Sequence, residues 1–119
     1  MLPKKNRLDK NTIENIFKNG LFVNSNNLTF KFIRTPGSPT RISFIVPKTV
    51  NKKAVTRNLL RRRGYGVLSK NKDILPDKVA GAFIFGKSST KLFGLNKNKQ
   101  YNPILELENE IKTLLNKVN

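Results

Sequence analysis

The chain has 119 residues and sets 24 Lys and Arg against 7 Asp and Glu, a formal charge of +17 with a pI near 10.7. That is the length of one ordinary domain, and the charge calls for an acidic partner, nucleic acid first and an anionic membrane surface second. There is no Cys and no His, which excludes disulfides, Cys/His metal sites, Cys nucleophiles and His acid–base chemistry.

Residues 1–8 read as a basic arm. It runs on into polar residues and not into an apolar segment, unlike a secretory signal. No apolar run approaches the ~20 residues of a membrane span. The expected setting is the cytoplasm, with no membrane partner. Asn11 followed by Glu14 is a capping-box signal. It predicts a short helix with Ile13, Ile16 and Phe17 on one face and Gly20 as its C′ residue. Leu21 to Val23 begins a first strand, and Asn24 to Asn27 is a turn cluster. Leu28 to Ile33 alternates, with Leu28, Phe30 and Phe32 on one face and Thr29 and Lys31 on the other. After a turn at Thr35 to Thr40, Arg41 to Val46 is the next strand, with Ile42, Phe44 and Val46 on one side. These two runs predict a hairpin.

Pro47 closes that strand, because proline has no backbone donor to give to a sheet. Lys48 to Arg63 follows, with seven Lys or Arg in sixteen residues and no acid. Asn51 is the candidate N-cap and Gly64 and Gly66 the candidate stops of a short basic helix. Lys53, Arg57 and Arg61 recur every fourth residue and so share a stripe. Like charges at that spacing repel by a few tenths of a kcal/mol each. A solvated face would mix signs to gain ion pairs, yet from Asn15 to Lys72 thirteen cations meet no acid. A bound polyanion accounts for this better, and nucleic acid is the first choice. Leu60, Gly64 and Leu68 fall on the same face as Arg57, so the pattern does not separate a core stripe from a binding stripe.

Lys70 to Lys78 reads as a loop. Val79 to Phe85 is apolar throughout, suited to a central strand buried on both faces. Lys87 stands just past its end. Residues 88–101 read as a mobile loop. Asn102-Pro103 starts a last helix whose core stripe is Ile104, Leu107, Ile111, Leu114, Leu115 and Val118. Its Glu106, Glu108 and Glu110 suit the helix dipole and solubility. The whole, residues 1–119, predicts a single-domain α+β sandwich: a sheet of about four strands packed with three helices, in the order α-β-β-β-α-β-α.

Cleavage of RNA by the protein itself would need His or carboxylates placed for acid–base or two-metal work. Asp73 and Asp77 lie in a loop and the helix glutamates have other uses, so no catalytic or metal site is expected. A binding protein fits better. A noncatalytic ribosomal or RNA-chaperone protein would share the charge and fold. A DNA-binding or membrane-surface protein is weakened by the lack of a helix-turn-helix pattern and of a long amphipathic basic helix.

Lys5-Asn6-Arg7-Leu8, Ile16-Phe17-Lys18-Asn19-Gly20 and Ala54-Val55-Thr56-Arg57-Asn58-Leu59-Leu60-Arg61-Arg62 together resemble the protein subunit of bacterial ribonuclease P, over roughly residues 4–87. The resemblance implies a left-handed crossover through the basic helix. It also implies an accessory role in a ribonucleoprotein endoribonuclease. There the RNA subunit, using Mg²⁺, removes the 5′ leader from precursor tRNA, one protein serving one RNA. Carried over residue by residue, Arg57, Asn58, Arg61 and Arg62 contact the RNA subunit. Lys53 joins them from its place on the basic stripe. Ile13, Phe17, Lys31 and Lys48 belong to a cleft for the single-stranded leader. On residue pattern alone, Phe17 is ordinary core packing. Lys31 and Lys48 could equally be solvated strand residues. The chain departs from the family at Ile13, where an aromatic is common, in one extra residue between Pro47 and Ala54, and at Arg63-Gly64-Tyr65-Gly66, which is expected to interrupt the helix.

Overall fold

In the run Val79 to Phe85 every residue is apolar, so neither face of that strand can meet water cheaply. In the computed structural model, which describes residues 9–86 and 103–118, this strand takes an inner place. The arm at 1–8, Lys87, the loop expected over 88–101 and Asn102 lie outside the described residues. The elements are α1 (Lys10–Asn19), β1 (Leu21–Asn24), β2 (Leu28–Arg34), β3 (Arg41–Ile45), α2 (Ala54–Lys70), a 3₁₀ turn (Lys72–Ile74), β4 (Val79–Phe85) and α3 (Pro103–Val118).

The sheet order is β1-β2-β4-β3. β2 pairs antiparallel with β4, from Leu28 opposite Phe85 to Arg34 opposite Val79, and β3 pairs parallel with β4. The hairpin expected of β2 and β3 does not form. β4 lies between them, because the strand that is apolar on both faces takes the inner position over direct pairing of its neighbours. The connecting turn crosses the start of β4, where Thr35 N donates to Lys78 O at 2.7 Å and Thr40 Oγ1 donates to Pro76 O. The hairpin that does form joins β1 and β2.

One sheet face is aromatic. Phe30, Phe83 and Phe44 sit side by side on β2, β4 and β3, with ring centroids 4.4 Å and 5.0 Å apart. With Leu28, Phe32, Phe85 and Ile42 they form the floor of the core. α2 covers it with Leu60, Val67 and Leu68, and α3 with Leu107, Ile111, Leu114, Leu115 and Val118.

α2 is longer than expected. Its N-cap is Lys53, without a side-chain cap bond. Asn51, the expected cap, instead accepts from Lys53 N at 2.8 Å, closing a turn just ahead of the helix. Neither Gly64 nor Gly66 stops or interrupts it, and the helix runs to Lys70. Gly64 is buried because the helix presses there on the sheet: a Cβ would come within 2.5 Å of the Phe44 ring. Tyr65 meets the same ring edge-on at 5.0 Å, and its hydroxyl accepts from Phe44 N at 3.3 Å.

α1 is capped by Asp9 and not by Asn11, with Asp9 Oδ1 accepting from Thr12 N at 2.7 Å. It ends at Gly20, whose backbone is extended and not left-handed. A side chain there would run into the Ile16 carbonyl.

The glutamates of α3 do more than suit the dipole. Glu110 is buried and accepts from Ser25 Oγ (2.6 Å), Asn27 N (2.7 Å) and Asn27 Nδ2 (2.6 Å), while Glu106 accepts from Asn27 Nδ2 at 3.3 Å. They tie α3 to the β1–β2 turn.

The two helix glycines make a paired prediction. Gly66→Ala, with nothing within 4 Å of the new methyl, should stabilise by about 0.5–1 kcal/mol through helix propensity. Gly64→Ala gains the same term but must displace a Phe44 ring boxed in by Tyr65, Phe83 and Phe85, at roughly 1–3 kcal/mol. Thermal unfolding should show the melting temperature rising for the first variant and falling for the second.

Candidate nucleic-acid interface

An α-helix turns about 100° per residue, so α2 has two distinct sides. Leu60, Gly64, Val67 and Leu68 are buried against the sheet. The first turns overhang it, and Val55, Asn58, Leu59 and Arg62 form the exposed face opposite. The stripe of Lys53, Arg57 and Arg61 continues the line of the buried stripe. Arg57 is half-buried and folds back on the chain, its Nη1 donating to Asn51 O (3.0 Å) and Lys52 O (2.8 Å). Those carbonyls precede an uncapped helix start, so Arg57 braces the overhang. Arg61, also half-buried, donates to Asn58 Oδ1. The five residues assigned to the RNA subunit therefore share one helix, while Asn58 and Arg62 point away from the body and Lys53, Arg57 and Arg61 run along its flank.

The other sheet face lies on the far side from α2. Lys31, Arg41, Ala80 and Ala82 alternate with the core residues and point to it. α1 lies over β2 and β4 there, where alanine keeps the surface low, and buries Ile16. Arg41 seats the helix start, reaching Asp9 Oδ2 at 3.7 Å and Thr12 Oγ1 at 3.3 Å. Phe17 is not core: it is 45% exposed. Its ring lies under the Lys31 ammonium, Nζ to centroid 5.2 Å, a cation–π pair. Ile13 is half-buried one turn earlier. Lys48 is exposed in the turn beyond the end of β3.

Three surface residues escaped the sequence reading. Phe22 is 61% exposed and stands directly across from Lys31 on the Phe17 side of the sheet. Its signal was available, since an edge strand that turns Val23 inward must turn Phe22 outward. Val55 and Leu59 are 82% and 38% exposed. Their signal is an i,i+4 apolar pair off the Leu60–Gly64–Leu68 stripe. Among the described residues, no group of three or more Asp or Glu gathers to hold a metal ion, and no helix is long and apolar enough to cross a membrane.

A mixed sheet clad in helices on both faces, with an acid-free helix overhanging one and an aromatic–lysine patch on the other, defines a strongly basic α+β protein fitted to a polyanion. The family model for ribonuclease P matches residues 2–118, and the chain belongs to that family. A ribonuclease P protein component from Picosynechococcus sp. is 35% identical over 63 residues, a stretch that spans about half of each protein, 52% of this chain and 54% of the relative. The ribonuclease P protein of Thermotoga maritima has the same fold, with a TM-score of 0.81 at 20% identity over 95% of this chain and 97% of that one. That of Staphylococcus aureus gives 0.74 at 18% identity over 96% and 95%.

The seating of α1 should depend on pH. Hydrogen bonds from Thr12, then the charge of Arg41, hold the Asp9 carboxyl below its ordinary value. Its contribution is therefore fully present above the ordinary carboxylate pKa and lost as pH falls through the lowered one. Asp9→Ala should lower the melting temperature at neutral pH, and the gap to the parent should narrow as pH falls below the ordinary carboxylate range and close once the lowered pKa is passed. Asp9→Asn, which keeps a cap, should lose less.

Proposed function

We propose that this chain is the RNA-binding protein subunit of bacterial ribonuclease P, assisting its catalytic RNA in removing the 5′ leader from precursor tRNA. The observation that carries this is the family match over residues 2–118. The catalytic group lies in the RNA, with Mg²⁺ held there, and the protein supplies binding in the cytoplasm, one protein to one RNA. α2 contacts the RNA subunit through Lys53, Arg57, Asn58, Arg61 and Arg62. A guanidinium has five N–H donors, so Arg57 can brace the two loop carbonyls and still meet a phosphate.

The leader lies along α1, where Ile13, Phe17, Lys31 and Lys48 receive it. The exposure of Phe17 supports this. A core phenylalanine could not offer a π face, whereas one half open under a lysine offers a surface for a base with a cation beside it for the phosphate. Phe22 widens the same surface.

The deciding experiment is to purify the native protein with its RNA and sequence that RNA. Ribonuclease P RNA should dominate, and ribosomal RNA as the main species would replace this proposal with a ribosomal or chaperone role. For the leader, Phe17→Leu fills similar volume without a π face. It should leave the melting temperature close to the parent's, because Phe17 is already 45% exposed. The preference of the RNA–protein complex for precursor over mature tRNA should shrink by part of the ~1–3 kcal/mol of a stacked base. An unchanged preference would remove Phe17 from the cleft.

A further inference from the structure

Val55 and Leu59 make no sense as core, for they lie on the side of α2 opposite Leu60, Gly64 and Leu68. Nor are they scattered surface apolar residues. They are adjacent at i,i+4, and with Asn58 and Arg62 they line a shallow depression on the outer face of the helix. The neighbours are chemically specific. Arg61 Nη1 donates to Asn58 Oδ1, which fixes the amide's orientation and leaves its NH₂ group to donate outward. Arg62, exposed and lining the same depression, is a guanidinium, the side chain best matched to a phosphate. An apolar floor, an outward amide donor and a cation at the edge are the parts needed to hold one nucleotide. In a helical stem the base faces are stacked out of reach, so only an unpaired nucleotide can offer its face. The absence of any acid from Asn15 to Lys72 fits that occupant and no acidic rival inside the chain.

We propose that Val55, Asn58, Leu59 and Arg62 form a single-nucleotide subsite that takes one unpaired base of the RNA partner by its face, with Asn58 donating to an acceptor on the base edge and Arg62 meeting the phosphate. It rests on the reading of the chain as a ribonuclease P protein bound to its RNA. The rest of α2 contributes charge; this face contributes a contact that charge alone does not supply, and so favours one place on the RNA over others.

Salt separates the two contributions. Affinity of the full chain for a transcript of ribonuclease P RNA is measured across a salt series, for the parent, Val55→Ser with Leu59→Gln, Val55→Phe, and Arg62→Ala. Cations set the slope of log affinity against log salt, and the apolar contact sets its height near 1 M salt, where roughly all the phosphate attraction is screened. The double variant should give a line parallel to the parent's but about tenfold weaker, the scale of two partly buried aliphatic groups. Val55→Phe, with a larger apolar face, should bind tighter at every salt. Arg62→Ala should reduce the slope by about 0.7–0.9. Chemical probing of unpaired bases should reveal one nucleotide protected by the parent and reactive with the double variant, at equal saturation. A double variant whose line overlays the parent's overturns the subsite while leaving the family function standing. A parent that binds this RNA no better than an unrelated RNA sinks the function itself. A parent that sediments as a dimer, with the double variant a monomer of unchanged RNA affinity, makes the face a protein contact and also overturns the subsite.

Discussion

How deep α2 sinks into the sheet is set at one point, the approach of Gly64 to the Phe44 ring. A helix carrying any side chain there would ride higher, and Leu60, Val67 and Leu68 would lose their seats on the aromatic floor. Because the contact falls in the middle of the helix, it acts as a fulcrum. The second half is anchored and capped at Asn71, whose backbone N–H donates to Leu68 O and whose Nδ2 donates to Val67 O. The first half is more open, with Leu60 as its buried residue, and a run of cations without counter-charge there would otherwise favour an unfolded segment. Arg57 completes the support by donating to the carbonyls of Asn51 and Lys52 in the turn just ahead of the helix. The helix is thus held by its buried second half and, at its start, by the Arg57 brace.

The same economy appears on the opposite face. Alanines at 80 and 82 let α1 come close, Arg41 fixes where it starts, and Gly20 fixes where it stops. Between those limits Phe17 is left half open beside Lys31 and across the sheet surface from Phe22. Neither the packing of Ile16 nor the pairing of β1 with β2 requires those aromatics to be aromatic. Their character is surplus to the fold, which is why a ligand is the natural account of it.

Much of this could be read in the residues. Alternation gave the facing of β2 and β3, an apolar run marked β4 as internal, and helical spacing marked α3. The strand order could not be read, because local turn chemistry at Thr35 to Thr40 says that two runs are joined by a turn and not whether a third strand will pass between them. Gly64 and Gly66 were misleading for a related reason: a glycine that ends a helix and a glycine that lets a helix press on a ring are the same letter. Glu110 was read from its position on the helix as a dipole partner, when its partners, Ser25 and Asn27, lie more than eighty residues away. On α2 the cations were legible as a set, but their division between flank and outer face depends on which side of the helix the sheet takes.

The inner place of β4 also bears on how the chain is made. Synthesis delivers α1, β1, β2, β3 and the whole of α2 before the strand that β2 and β3 both pair with, and it delivers Glu110 last of all the groups that close the β1–β2 turn. Until residues 79–85 have left the ribosome β3 has no strand to pair with, and the aromatic floor on which α2 sits lacks Phe83 and Phe85. The order of elements therefore leaves the seat of α2 incomplete until the last third of the chain is made.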